Sequence, residues 1–512
     1  MTVGSALQTG LRLLVDRPSD VLPVYLLGIG LTAIVRVPLV VAVGAALAIL
    51  VSDGRLEALV TELEPFLETT DFDPAALETA PSSIPPDLEA AVVDVFSPDV
   101  VGLLGGGVGL ALVVGVVAGG LSNAVALHGI YGALRGDDGV RAALSGLGDD
   151  WLSFVGLSIL QTLLTLLGLV PIVLGLGLFA LSQAAGVVAT AVGVLLGVGL
   201  IVVSSLLLAF TGQSIVADDV GLADGVRRSA RLPVTRPWTV VGYAVVAITV
   251  FAVLSILGSL FSLLGVSQLS GLVGPLLFLP FLDIFKFGLY TDRSFPIAAS
   301  ATEPATAAYA ETRSHRARFV AAFRGGLAAL GNFLRRAPLS VLFATAIFAA
   351  AAIVGYQVTA GFGTEIPTPT EPGMVFGALP LDTFVMLAAN NWLVSATATF
   401  GGFALGVSTG VDMLLNGGLV GALYGVTDQT AFLALVAPHG VIELPAIFVA
   451  GGLGFHIAAV VLGVLTGGAT VTRLVETLRL AYRVLLGLAV VLIVAALIEA
   501  FLTPAIAASI LG

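Results

Sequence analysis

The chain has 512 residues, 58% of them hydrophobic and 11% charged, with a mean hydropathy of +1.08. Acidic residues outnumber basic ones 33 to 21, the formal net charge is −12, and there is no cysteine. This composition places the chain among all-α polytopic integral membrane proteins and excludes a basic nucleic-acid-binding surface, disulfides, thiolate metal sites and a cysteine nucleophile.

The N-terminal stretch MTVGSALQTGLRLLVDRPSD lacks the cleavage pattern of a secretory signal and is expected to remain in the cytoplasm. A membrane helix needs about 20 apolar residues, and strand-like alternation is absent. Hydropathy predicts about eleven spans, near 21–51, 100–132, 153–181, 185–213, 239–264, 269–291, 339–357, 382–411, 415–436, 440–467 and 484–503. Most arginines, from Arg12 and Arg17 through Arg141, Arg228 and Arg318 to Arg479 and Arg483, fall in segments of one parity. By the positive-inside rule that side is cytoplasmic, and the C-terminus is then expected outside the cell membrane.

The opposite side holds residues 52–99, where a row of Asp and Glu faces the single Arg55, and the base-free stretch QVTAGFGTEIPTPTEPGMVFGALP. Lys286 is the only lysine, and this balance resembles that of proteins from salt-loving archaea, whose carboxylate-rich surfaces stay soluble where salt screens other charges. The acidic segment therefore reads as a solvated surface, with a cation-collecting vestibule as the sharper alternative.

Three amphipathic stretches each run directly into a span: ALQTGLRLLVDRP, DGVRRSARLPVTRPW and FVAAFRGGLAALGNFLRRAP. In the third, Phe319, Ala322, Phe323, Leu327, Leu330 and Leu334 form one stripe, as expected of a cytoplasmic helix lying in the membrane interface. The polar stretch 294–318 reads as a linker between an N-terminal six-helix membrane domain, 1–293, and a C-terminal membrane domain, 319–512. Arg36 stands mid-span beside Pro38, where it either snorkels or marks a break. Asp283 and Lys286, spaced i, i+3, are expected to pair within the membrane. His128 reads as a capping or packing residue, and the GGG run at 105–107 lacks the Lys and Ser or Thr of a phosphate loop.

In the C-terminal part, Gly402, Gly406 and Gly410 are four apart, as are Gly417, Gly421 and Gly425. That spacing makes flat helix faces which allow backbones to approach closely. Two such faces predict a tight hairpin, with Asn416 and Gly417 at its turn.

The ordered segments NNWLVSATATFGGFALGVSTG, LLNGGLVGAL, PHGVIELPAIFVAGGLGF and AALIEAFLTP resemble the successive signatures of the stage II sporulation protein M family, also called DUF95, over roughly 320–512. In spore-forming bacteria that family supplies membrane scaffolds recruiting cell-wall-degrading partners. The resemblance implies a scaffold-like fold and points to Asn390, Gly402, Asn416, Gly417, His439, Gly440, Glu443, Pro445, Glu499 and Pro504. Through ADGVRRSARL, the N-terminal part weakly resembles archaeal membrane domains of unknown function, similar to the membrane region of some glycerophosphodiester phosphodiesterases; no phosphodiesterase catalytic domain accompanies it.

Topology brings Asn390, His439, Glu443 and Glu499 toward the same outer leaflet. If a helix starts at Pro438, His439 and Glu443 share its first-turn face and Pro445 kinks it; if it starts at Pro445, both sit in a loop at its positive end. A metal is not expected, since zinc takes three or four protein ligands and His456 lies about 20 Å further along the same helix and about 140° around it. No cofactor is implied, and no serine pairs with His439 for nucleophilic chemistry. The cluster then either holds helices together or handles a proton or ion between two carboxylates. The leading expectation is a non-enzymatic membrane scaffold with envelope or membrane protein partners, embedded in the lipid bilayer, in which a homo-oligomer is allowed. A transporter or channel using the cluster is the competing class, and an intramembrane hydrolase comes last.

Overall fold

A computed structural model describes residues 2–69, 85–293, 295, 314–362 and 380–511. Most of the polar linker and most of the base-free stretch lie outside the described residues. Among these residues every regular element is helical, as the composition requires.

The amphipathic α1 (Val3–Asp16) leads into α2 (Pro18–Thr32), a 3-10 turn at Ala33–Val35, and α3 (Arg36–Ser52). Two acidic helices, α4 (Arg55–Thr69) and α5 (Pro86–Val95), precede the long hairpin of α6 (Pro98–Leu134) and α7 (Gly139–Gly177). Then come α8 (Gln183–Leu208), α9 (Thr211–Asp218), the amphipathic α10 (Leu222–Thr235), α11 (Pro237–Leu263), α12 (Leu269–Val273), a π segment at Gly274–Phe278 and α13 (Leu279–Thr291). The C-terminal part consists of α14 (His315–Arg336), α15 (Pro338–Thr359), α16 (Leu381–Phe400), α17 (Val407–Val426), α18 (Gln429–Leu465), α19 (Val471–Leu497), a second π segment at Ile498–Leu502 and α20 (Thr503–Leu511).

Nine helical runs among the described residues are long and apolar enough to cross a membrane. The two spans expected at 382–411 and 415–436 take a different form. The chain turns at Gly401–Ala404, so α16 and α17 are separate helices that end and begin there. The next turn falls at Thr427 and Asp428, and α18 starts at Gln429.

All three amphipathic helices join their spans through one device. Arg17, Arg236 and Ala337 each precede a proline at the start of the following helix and have extended φ of −129°, −138° and −132°. The ring of that proline disfavours helical geometry at the residue before it, which fixes a sharp bend. In α14 Phe319, Leu327 and Leu334 of the apolar stripe stay outward, with Phe319 65% exposed, while Leu330 packs against the core, Gly326, Ala329 and Phe333 bury and Gly326 meets Gly487 of α19. One face thus packs on protein and another is left for lipid.

The largest core joins both ends of the sequence. Leu26, Leu27 and Val125 pack in one cluster with Ala450, Leu453, Leu478 and Leu485. Without a hydrophobic drive between helices in lipid, close backbone approach carries much of the association. Gly417, Gly421 and Gly425 of α17 abut Phe348 O, Ala352 O and Thr359 Oγ1 of α15. The Thr359 hydroxyl donates to Ala422 O at 2.9 Å. The second glycine face is real, but its partner is α15 and not the 402–410 segment.

Gly402, Gly406 and Gly410 do not make one helix face. Gly402 lies in the 3-10 turn against Gly454. Leu405 and Gly406 take left-handed φ of 55° and 78°, and Gly410 lies in α17. Asn416 and Gly417 are not at a turn either: both sit inside α17, where Asn416 Nδ2 donates to Asp412 O at 2.8 Å. Their apolar neighbours extend the helix through a pair that would end it in water.

Candidate functional site: a His/Glu/Glu cluster between helices

The described charged residues in the helices are mostly paired. Arg17 Nε donates to Asp20 Oδ2 at 2.8 Å and its terminal nitrogens to Ala133 O and Asp137 O, both at 2.7 Å. Arg479 Nη2 donates to Asp20 Oδ1 at 2.6 Å and Asp138 Oδ1 at 2.9 Å. This network ties α2, the α6–α7 turn and α19 together. Arg36 Nη1 donates to Asp412 Oδ1 at 2.9 Å, beside the 3-10 break that ends α2. Lys286 lies 3.7 Å from Asp283, which also accepts from Tyr25 Oη at 2.7 Å. His128 Nε2 is 3.1 Å from Asp150, with its ring edge-on to Phe154.

The exception is built by α18 and the end of α19. Asp428 caps α18 by accepting from Ala431 N at 2.8 Å. The helix then runs unbroken to Leu465 through Pro438 and Pro445. Neither predicted start survives. Pro438 and Pro445 lie in the helix interior, where each removes one backbone donor without breaking the run. His439 is consequently about 15 Å along the helix from Gln429, deeper than a first-turn residue. His439 and Glu443 remain one turn apart on a shared face.

Glu499 arrives from the π segment Ile498–Leu502. That segment ends two residues before Pro504, which has no N–H to donate and whose ring crowds the preceding turn. A wider turn relieves that conflict. Thr503 Oγ1 donates to Ile498 O at 3.2 Å and closes the segment. The other π segment, Gly274–Phe278, likewise ends two residues before a proline, Pro280.

His439 Nε2 lies 3.6 Å from Glu499 Oε1, and the two side chains are only 12% and 17% exposed. One ligand atom each from His439, Glu443 and Glu499 falls within 4.8 Å of the others. His439 Nδ1, Glu443 Oε2 and Glu499 Oε2 are buried without a hydrogen-bond partner. Such orphaned atoms are costly in an apolar setting and mark a place where a ligand, proton or water is due.

Asn390 makes no hydrogen bond to the group among the described residues. It is exposed, and its side chain donates to Asn391 Oδ1 at 3.3 Å. Phe384 is the α16 residue whose ring meets Phe501, 6.2 Å between centroids, so Asn390 stands about 9 Å further along α16. Gly440 is buried in α18 next to the cluster's histidine. His456 packs edge-on against Phe333 at 5.9 Å, away from the cluster. The third potential ligand beside His439 and Glu443 is Glu499, which comes from a different helix, and not His456.

The sequence reading missed Asp20, Asp138 and Asp412 as partners. For Asp412 the signal was available: a lone acid inside an apolar helix and a lone arginine inside another call for each other.

Residues 339–504 match the family model of stage II sporulation protein M. An uncharacterized protein of Methanocaldococcus jannaschii is 29% identical over 133 residues, which is 25% of this chain and 75% of that relative. No solved structure matches the chain. All four signature segments, from Asn390 to Pro504, fall within the matched range, and the C-terminal part of this membrane protein is stage II sporulation protein M-like.

Proposed function

We propose that the protein is a non-enzymatic membrane scaffold, a rigid helical platform that positions envelope or membrane protein partners. The observation that carries this reading is the buried network of Arg17, Asp20, Asp138 and Arg479, which staples an N-terminal helix, the α6–α7 turn and a C-terminal helix into one body. Alternating access needs one part of a bundle to rock against another, and a buried ion-pair network across the junction resists that motion. Backbone-to-backbone packing at Gly402 and Gly421 resists sliding as well. The arginine distribution favours a cytoplasmic N-terminus, which leaves the His439 end of the bundle on the outer side, within reach of partners in the envelope.

Crosslinking and mass spectrometry of native membranes tests the proposal. A reproducible crosslinked envelope or membrane partner is expected, and purified protein in vesicles should pass neither protons nor ions. One observation favours a second reading, transport: the His/Glu/Glu cluster leaves three polar atoms without partners inside apolar helices. Flux through wild-type vesicles that disappears in Glu443→Gln would sink the scaffold reading in favour of that one.

A further inference from the structure

The cluster poses a charge problem that protein groups do not solve. Among the described residues no lysine or arginine pairs with Glu443 or Glu499; the one ionic contact is the 3.6 Å approach of His439 to Glu499. Two carboxylates that share a site of low dielectric repel each other strongly, and each is expensive to bury without a counter-charge. A divalent cation bound by two carboxylates and a neutral imidazole leaves the site with no net charge.

The ligand set narrows the cation. One imidazole nitrogen and two carboxylate oxygens suit zinc-like first-row transition ions, for which three protein ligands plus a water is a common arrangement. Calcium takes six to eight oxygens and magnesium an octahedron rich in water, which an imidazole-bearing site of three residues serves poorly. Tetrahedral bonds of about 2.1 Å put neighbouring ligand atoms about 3.4 Å apart. The His439–Glu499 pair is already at 3.6 Å, and every other pair of ligand atoms in the group lies within 4.8 Å.

The backbone supports the same conclusion. The i, i+4 spacing fixes His439 and Glu443 on one rigid helix. Glu499 is the second residue of the π segment that follows α19. Glu499 Oε1 reaches His439 Nε2 at 3.6 Å, while His439 Nδ1, Glu443 Oε2 and Glu499 Oε2 are left without hydrogen-bond partners.

We propose that His439, Glu443 and Glu499 form a site for a divalent transition-metal ion of the zinc class, each residue giving one ligand atom and a fourth position falling to water. This goes beyond the scaffold reading and does not depend on it: metal uptake and partner capture are separate measurements.

Tag-free, full-length protein in detergent, stripped with a chelator and then titrated with zinc chloride, provides the test. Wild type should take up one zinc per chain by calorimetry and elemental analysis, unaffected by excess magnesium. Affinity should drop about tenfold or more in Glu443→Gln, Glu499→Gln and His439→Gln, and stay unchanged in His456→Gln. Because misfolding of a variant would mimic loss of a ligand, zinc absorption spectroscopy on wild type gives an independent readout. A nitrogen and oxygen shell near 2.0–2.1 Å containing a single imidazole is expected. Failure of wild type to take up stoichiometric zinc overturns the proposal and leaves a shared proton as the balancing charge. Uptake that persists in folded Glu443→Gln and Glu499→Gln, or a shell with two imidazoles, overturns it too by placing the ion elsewhere.

Discussion

Two polar clusters lie toward opposite ends of α19 and the π segment that continues it, about 30 Å apart along the axis, and they are finished to different degrees. Around Arg479, two arginines, two aspartates and two backbone carbonyls meet one another, with Arg479 Nε alone left over. Around Glu499, two acids and a histidine meet with one atom of each unsatisfied. Both are buried, so exposure does not explain the contrast. The first contains its own counter-charges and works as a staple between distant parts of the sequence. The second lacks them, which is what a site made for something else looks like.

Breaking the staple should have the largest effect. Arg479→Ala leaves Asp138 without its cation and takes from the fully buried Asp20 one of its two, and removing one partner of a buried pair costs about 3–5 kcal/mol. Thermal unfolding in detergent should show a marked drop in midpoint. Adding Asp138→Asn to Arg479→Ala should recover part of it, because Asp20 keeps Arg17 as its partner while Asp138 pairs only with Arg479 among the described residues. Equal loss in the single and double variants would mean that packing, not charge, holds the junction.

A purely steric perturbation calibrates that result. A side chain at Gly421 would meet Ala352 O of α15. Gly421→Leu should therefore destabilise by about 1–3 kcal/mol through overpacking, with no change in salt dependence. Asp412→Asn comes next, at about 1 kcal/mol. Arg36 is 45% exposed and can turn its head to water when the partner is neutralised, which a fully buried arginine such as Arg17 cannot do.

Glu443→Gln gives the sharpest contrast with Arg479→Ala. In metal-free protein it removes a charge that has no partner, so the midpoint should hold or rise slightly, by up to about 1 kcal/mol. A fall comparable to that of Arg479→Ala would show that the second cluster is also a staple and would erase the distinction drawn here.

These contrasts were unevenly legible in the sequence. Hydropathy found the long spans because a helix that meets lipid must be apolar over its whole length. The pairing of His439 with Glu443 followed from spacing, and Glu499 from counting crossings. The depth of the site did not follow, because Pro438 and Pro445 look like helix starts, and only the surrounding bundle keeps α18 continuous through them. Asn416-Gly417 looked like a turn for the same reason. The true turn places Leu405 at a positive φ, a conformation that no leucine advertises. Asp20 was invisible as a structural residue: RPSD at the start of a span reads as solvated charge until Arg479 arrives from the far end of the chain.

The exposed charges around Arg55 complete the comparison as the case in which water competes for every contact. Arg55 donates to Asp53 Oδ2 at 2.7 Å, to Asp99 Oδ2 at 3.0 Å and to Asp94 O at 3.0 Å. The hydrogen bond from Arg55 holds the Asp53 carboxyl below its ordinary range. A carboxyl whose folded value is depressed contributes stability that is present above the unfolded value and disappears as pH falls through the folded one, so any contribution here is lost only on acidification below the ordinary carboxylate range. The carboxylates Asp53 and Asp99 are 39% and 53% exposed, and salt screens such pairs. Arg55→Gln should leave the unfolding midpoint unchanged in molar salt and shift it only slightly in dilute buffer at neutral pH, with that small difference gone in acid. A large, salt-resistant loss would mean that this corner is sheltered like the Arg479 staple, and that exposure is not what separates a decorative charge network from a structural one.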